Sequence, residues 1–156
     1  MSSPFSKIDK SEWVLSNELA FAIFDAYPVT QGHILVIPHR VVPTWFDASA
    51  AEQQAIMNLV DEVKAELDRR FRPDGYNIGI NAGAAAGQTV MHLHVHVIPR
   101  YEGDMEDPRG GVRHVIPEKG NYLIDSDDGS PVSGVFLGPV SIPRSLFGDQ
   151  YFQYAL

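Results

Sequence analysis

In the run Met91-His92-Leu93-His94-Val95-His96-Val97-Ile98, histidine alternates with aliphatic residues. A strict period of two belongs to a β-strand, where successive side chains point to opposite faces. A strand over Thr89–Ile98 therefore carries His92, His94 and His96 on one face, roughly 6.5–7 Å apart, and Leu93, Val95 and Val97 on the other. The aliphatic face requires a packed partner. Three imidazoles in a row are too polar to bury without hydrogen-bond partners or a ligand.

The partner is legible upstream. Ser49-Ala50-Ala51-Glu52 has the form of a capping box, and Ile56, Leu59, Val60, Val63, Leu67 and Phe71 recur at three- and four-residue intervals. This spacing predicts a helix over Ser49–Arg70 with one apolar stripe, favoured at its end by Arg69, Arg70 and Arg72 and stopped by Pro73-Asp74-Gly75. Leu19–Asp25 and His33–Pro38 are apolar runs separated by Tyr27-Pro28 and Gln31-Gly32, which predicts two strands joined as a hairpin. Tyr76–Ala82 is a third strand, followed by the small-residue loop Gly83-Ala84-Ala85-Ala86-Gly87. The order strand, strand, helix, strand, strand predicts an α+β domain with an antiparallel sheet. We place this domain at 1–120. Residues 121–156, with four acids and one base, form an extension of little regular structure, with candidate strands at Val135–Leu137 and Gln150–Tyr154.

A chain of 156 residues suits one domain. It has no cysteine, which excludes disulfides, thiolate metal sites and a cysteine nucleophile, and fits a cytoplasmic setting. Met1–Lys10 lacks the apolar core of a signal peptide, and no stretch approaches the roughly 20 apolar residues of a membrane span. The net charge of −8 argues against general nucleic-acid binding. A small site can still be locally positive, and Arg100, Arg109 and Arg113 follow the histidines closely.

Imidazole suits phosphoryl chemistry. It titrates near neutrality, is a competent nucleophile, and as a cation stabilises developing negative charge. Such a loop of small residues directly before the histidines lets backbone N–H groups approach an anion. The pattern alone also admits a metal site on His92, His94 and His96. Against that reading, no carboxylate adjoins the histidines in sequence.

The segment Gly87–Arg100 resembles the signature of the histidine triad superfamily, His-φ-His-φ-His-φ-φ with φ apolar, and the match extends to Asp25, Gly32-His33 and Asn81. Gln88-Thr89-Val90 is closer to the fragile histidine triad (diadenosine polyphosphate hydrolase) branch than to the phosphoramidase branch. The resemblance implies a homodimer with a continuous sheet and a role for each position. His94 is the nucleophile, oriented by His92 and supported by His33. His96 binds phosphate and assists the leaving group. Gln88 contacts a bridging or phosphate oxygen, Asn81 and the Thr89-Val90 backbone hold the α-phosphate, Asp25 binds the ribose hydroxyls, and Ile23 and Leu35 line the base pocket. Many relatives carry Cys-x-x-Cys near the N-terminus, which can help hold zinc; here Ser3-Pro4-Phe5-Ser6 takes that place. No cofactor and no structural zinc are expected, although a substrate can arrive with Mg²⁺.

The expected reaction is attack on the α-phosphorus of a nucleoside phosphoanhydride or phosphoramidate, releasing a nucleoside monophosphate. Two other readings are a nucleotide-binding or signalling module with incidental turnover, and a histidine metal-binding protein.

Overall fold

The computed structural model describes residues 3–121. The boundary strands expected at Val135–Leu137 and Gln150–Tyr154 lie outside the described residues. Five strands form one antiparallel sheet: β1 (Leu15–Ser16), β2 (Ala20–Phe24), β3 (Ile34–Pro38), β4 (Gly75–Ile80) and β5 (Val95–Arg100), in the order β1-β2-β3-β5-β4. A single long helix, α1 (Ala50–Phe71), connects β3 to β4. Among the described residues, no helix is long and apolar enough to cross a membrane.

The predicted stripe is the core of the domain. Ile56, Leu59, Val60, Val63 and Leu67 of α1 are buried against Ala20, Ala22, Ile34, Val36, Val95 and Val97 of the sheet. Each such aliphatic side chain contributes about 1.5–3 kcal/mol by leaving water. Phe71 closes the stripe beside Gly32, whose φ of +85° strains any other residue and where a Cβ would stand only 3.0 Å from the Phe71 ring. The chain leaves α1 through Arg72 in the left-handed conformation, one residue before Pro73.

The start of α1 is a complete capping box: Ser49 Oγ accepts from the Glu52 N–H, and the Glu52 carboxylate accepts from the Ser49 N–H. Glu52 is buried, and Arg40 donates to both of its oxygens at 2.8 and 2.7 Å. Arg40 is the main cause that holds the Glu52 carboxyl down at about 2. A depressed carboxyl stabilises the fold fully above its unfolded value and loses that contribution as pH falls through its folded one. Glu52→Ala is therefore expected to cost about 1 kcal/mol at pH 7, the size of a lost helix cap. In urea titrations the gap between variant and wild type should close as pH falls from about 4.5 to about 2. An unchanged gap at pH 2 contradicts the assignment.

Two expectations shift. The sheet has a second covered face: Phe21, Ile23, Leu35 and Ile37 pack under Phe5, Ile8 and Trp13 of the N-terminal segment. The last strand begins at Val95, not Thr89. Before Val95 the ladder with β4 stops, since β4 ends at Ile80, the partner of Val95. The single backbone bond there runs from the Leu93 N–H to the Val42 carbonyl, at 2.7 Å.

Candidate active site

The alternation survives the late start of β5. Leu93, Val95 and Val97 enter the helix-side core. His94 and His96 turn the other way and meet edge to face at 5.1 Å between ring centres. They stand at one end of a cavity of about 780 Å³, whose wall includes Ile23, Asp25, Leu35, Thr89 and Val90 as the sequence suggested. Phe5 and Ile8 complete an apolar slot opposite Ile23 and Leu35. These two were missed by the sequence reading, although their i, i+3 spacing in an otherwise polar segment was a usable signal.

The hydrogen bonds define which ring nitrogens carry protons. His94 Nδ1 lies 2.8 Å from the His92 carbonyl, which only accepts, so Nδ1 holds a proton and Nε2 is the ring nitrogen left to carry the lone pair in the neutral tautomer. His92 is fully buried; its Nε2–H donates to the Pro38 carbonyl at 2.9 Å, and its Nδ1 accepts from the Ser3 hydroxyl at 2.8 Å. Both His92 nitrogens are thus occupied, one by the serine that replaces the first cysteine of many relatives. Burial pushes the His92 ring toward its neutral form.

His33 and His96 form a relay. The Val29 N–H donates to His33 Nδ1 at 3.3 Å, which places the His33 proton on Nε2. That N–H faces His96 Nδ1 at 3.0 Å, which leaves His96 with its proton on Nε2. Asp25 Oδ2 also approaches His33 Nε2 at 3.5 Å, while Asp25 Oδ1 accepts from the Tyr27 N–H. Burial, followed by the neighbouring His94 and His33, lowers the His96 ring to about 4. His33 is lowered as well, mainly by burial and despite Asp25. The relay is neutral at physiological pH.

Three sequence-predicted groups stand apart from this cavity. Gln88 does not line the cavity. It is buried; its amide donates to the Pro43 and Val90 carbonyls at 2.6 and 3.0 Å and accepts from the Gly83 N–H at 2.8 Å, which ties down the 83–87 loop. Asn81 lines a separate cavity with His33 and His96, because β4 lies on the far side of β5 from β3. The arginines do not make a basic patch at the histidines: Arg100 pairs with Asp104, Arg109 pairs with Asp107, and Arg113 donates to the Lys119 and Gly120 carbonyls.

The triad rings do not converge as three metal ligands, since the nitrogens of His92 are committed to Pro38 and Ser3. Among the described residues, the grouping with metal-ligand spacing is Asp25, His33 and His96, whose donor atoms lie within 4.8 Å of one another. A metal there would require His33 to move its proton to Nδ1, against the Val29 N–H.

An antiparallel sheet backed by one helix, with the histidine run ending a cavity on its other face, defines a histidine triad domain. The chain belongs to the HIT family: the family's HIT domain model matches residues 7–103. It is 43% identical over 93 residues to an uncharacterized 16.1 kDa HIT-like protein of Mycoplasma pneumoniae, covering 60% of this chain and 65% of that protein. It is 37% identical over 100 residues to a bis(5'-adenosyl)-triphosphatase of Dictyostelium discoideum, covering 64% and 67%. The chain thus spans about two thirds of the length of these curated relatives. Among solved structures, a HIT family protein of Bacillus anthracis superposes with a TM-score of 0.62 at 34% identity, covering 66% of this chain and 76% of that one.

Proposed function

We propose that the protein is a nucleotide hydrolase that attacks the α-phosphorus of a nucleoside phosphoanhydride or phosphoramidate through His94. The observation that carries this reading is the His94 ring itself. Its Nδ1–H is held by the His92 carbonyl, so Nε2 is the nitrogen that carries the lone pair in the neutral tautomer, beside a cavity that also presents Asp25. The name of the Dictyostelium relative, a bis(5'-adenosyl)-triphosphatase, supports a nucleotide substrate.

In the first step the Nε2 lone pair forms a bond to phosphorus, and the bond from phosphorus to the leaving group breaks. The leaving atom takes the electron pair, accepts a hydrogen bond from His96 Nε2–H, and draws any proton it needs from solvent water. In the second step a water oxygen attacks the nucleotidyl-histidine phosphorus, the N–P bond breaks with its electron pair returning to His94 Nε2, and the water proton goes to solvent. The products are a nucleoside monophosphate and the leaving group. Asp25 accepts from the ribose hydroxyls, Ile23 and Leu35 receive the base with Phe5 and Ile8, and the Thr89-Val90 backbone meets the phosphate. Gln88 holds the phosphate loop; contact with a bridging oxygen requires its amide to leave the Pro43 and Val90 carbonyls. His33 positions His96, and Asn81 reaches the phosphate chain from the second cavity.

The proposal includes no structural zinc, since Ser3 fills the place of a metal ligand beside His92. It also includes a cytoplasmic setting, a division of the chain near residue 120, and a homodimer joined through the open edge of β4, where Ile78 is exposed.

The test is chromatography of reactions with diadenosine tri- and tetraphosphate, an adenosine phosphoramidate and an aminoacyl adenylate. Release of AMP from at least one class is expected. Tight nucleotide binding without release would replace the hydrolase reading with that of a nucleotide-binding module.

A further inference from the structure

Two carboxylates line the 780 Å³ cavity, Asp25 and Glu12. The mechanism above uses Asp25 and leaves Glu12 idle. Glu12 ends a short helical turn, Lys10–Glu12, that precedes β1. The sheet order β1-β2-β3-β5 sets the two ends of the cavity. His94 and His96 belong to the β5 end, and Glu12 to the β1 end, on the far side of β2 from β3. From β5 to β1 is three strand spacings, roughly 14 Å. Ile23 of β2 and Leu35 of β3 pair directly and lie between. The cavity thus runs from imidazole nitrogens, past Asp25 and the apolar slot, to a second carboxylate.

The backbone on both sides of Glu12 is held. The Asp9 carboxylate accepts from the Ser11 N–H at 2.8 Å, and the Asp9 carbonyl accepts from the Glu12 N–H at 3.0 Å. After Glu12, the Trp13 ring stacks on Phe21 with centres 4.6 Å apart, and the Val14 N–H donates to the Ala22 carbonyl at 2.8 Å. The Glu12 carboxylate itself is uncommitted. Among the described residues it has no hydrogen-bond or ion-pair partner, and the neighbouring cation, Lys10, lies over the Trp13 ring instead.

A nucleotide fits this order in one direction. With its α-phosphorus at His94 and its ribose at Asp25, the base fills the slot, and the edge remote from the glycosidic bond faces Glu12. In a purine that edge carries N1 and the substituents at C2 and C6. An ionised carboxylate offers acceptors only. Guanine presents two adjacent donors there, N1–H and the 2-amino group, and one carboxylate accepts from both. Adenine presents a single donor, the 6-amino group, beside the N1 lone pair, which the second carboxylate oxygen repels. We propose that Glu12 selects the base, and that the slot prefers guanine nucleotides to adenine nucleotides. This rests on the nucleotide reading of the cavity given above. The preference combines paired charge-assisted bonds to guanine with repulsion of adenine. The ribose contact to Asp25 is common to both.

The test is calorimetric binding of GMP, IMP and AMP to the full-length protein. GMP is expected to bind at least about tenfold tighter than AMP, a difference of about 1.4 kcal/mol. IMP keeps N1–H but lacks the 2-amino group, so it should fall between them. Glu12→Gln keeps the shape and replaces one acceptor with an N–H donor, which matches the adenine edge, so the order of GMP and AMP should invert. Glu12→Ala should bring all three within about twofold of one another. Glu12 is exposed, so neither change disturbs the core. No GMP advantage in the wild type, a GMP advantage retained in either variant, or an equal loss for all three nucleotides would overturn the assignment. The hydrolase reading fails separately. If wild-type protein with its GMP advantage intact releases no monophosphate from guanosine or adenosine phosphoramidates, hydrolysis is refuted and the role of Glu12 stands.

Discussion

His94→Asn is expected to lower kcat by at least about 10³-fold while leaving AMP affinity within a few fold. Asparagine can replace the Nδ1–H donor to the His92 carbonyl, so the local backbone keeps its partner. What it cannot replace is the Nε2 lone pair, and with it the covalent half-reaction is lost. Binding rests on other groups: Asp25, the slot between Phe5 and Leu35, and the Thr89-Val90 backbone. His94 is 8% exposed and touches Phe5 edge to face at 5.3 Å, so the smaller side chain leaves only a shallow gap beside open solvent. Single-turnover kinetics and equilibrium binding on the same preparation separate the two effects. Wild-type kcat in this variant would remove His94 from the nucleophile's role. Loss of binding in parallel with kcat would make it a structural residue instead.

The residues that were legible in sequence are those whose partners lie in a regular pattern. The α1 stripe and the aliphatic side of the histidine run were readable from periodicity, because helix and strand repeat distances fix which side chains share a face. The residues that were not legible depend on a segment far away in the chain. Phe5 and Ile8 become cavity walls only because the N-terminal residues fold over the second sheet face. Gln88 is drawn into the loop by the Pro43 carbonyl, 45 residues upstream, and no local signal announces it. Asn81 is separated from the Ile23–Leu35 slot by the strand order β3-β5-β4, which follows from the α1 crossover rather than from any motif. The arginines after the triad were read as a basic cluster by proximity. Their nearest acids, Asp104 and Asp107, are equally close in sequence and take Arg100 and Arg109 as partners. Short-range pairing of opposite charges therefore outweighed the tally of like ones.

His96→Asn is expected to separate hydrogen-bond donation to the leaving atom from the rest of catalysis. An asparagine carbonyl can accept from His33 Nε2–H as His96 Nδ1 does, so His33 keeps its partner. The amide is shorter and does not place an N–H where His96 Nε2–H stands, so the leaving atom loses its hydrogen-bond donor. The expected fall in kcat is about 10²-fold for an alkylamine phosphoramidate, whose strongly basic nitrogen depends most on a hydrogen-bond donor as it leaves. For a p-nitrophenyl nucleotide ester, whose phenolate leaves without a proton, the fall should be under about tenfold. In the wild type, the relay requires a neutral His96, and its ring stays neutral until pH approaches about 4. Below that, a proton on His96 Nδ1 faces the His33 Nε2–H across 3.0 Å, and the two like donors repel. Phosphoramidate turnover should therefore fall on the acid side toward pH 4, with the His33–His96 contribution to that loss absent in His96→Asn. An equal loss for both leaving groups would show that His96 acts on the phosphate and not on the leaving atom. The Nε2–H defined by the Val29–His33–His96 chain would then act as a hydrogen-bond donor to the phosphate alone.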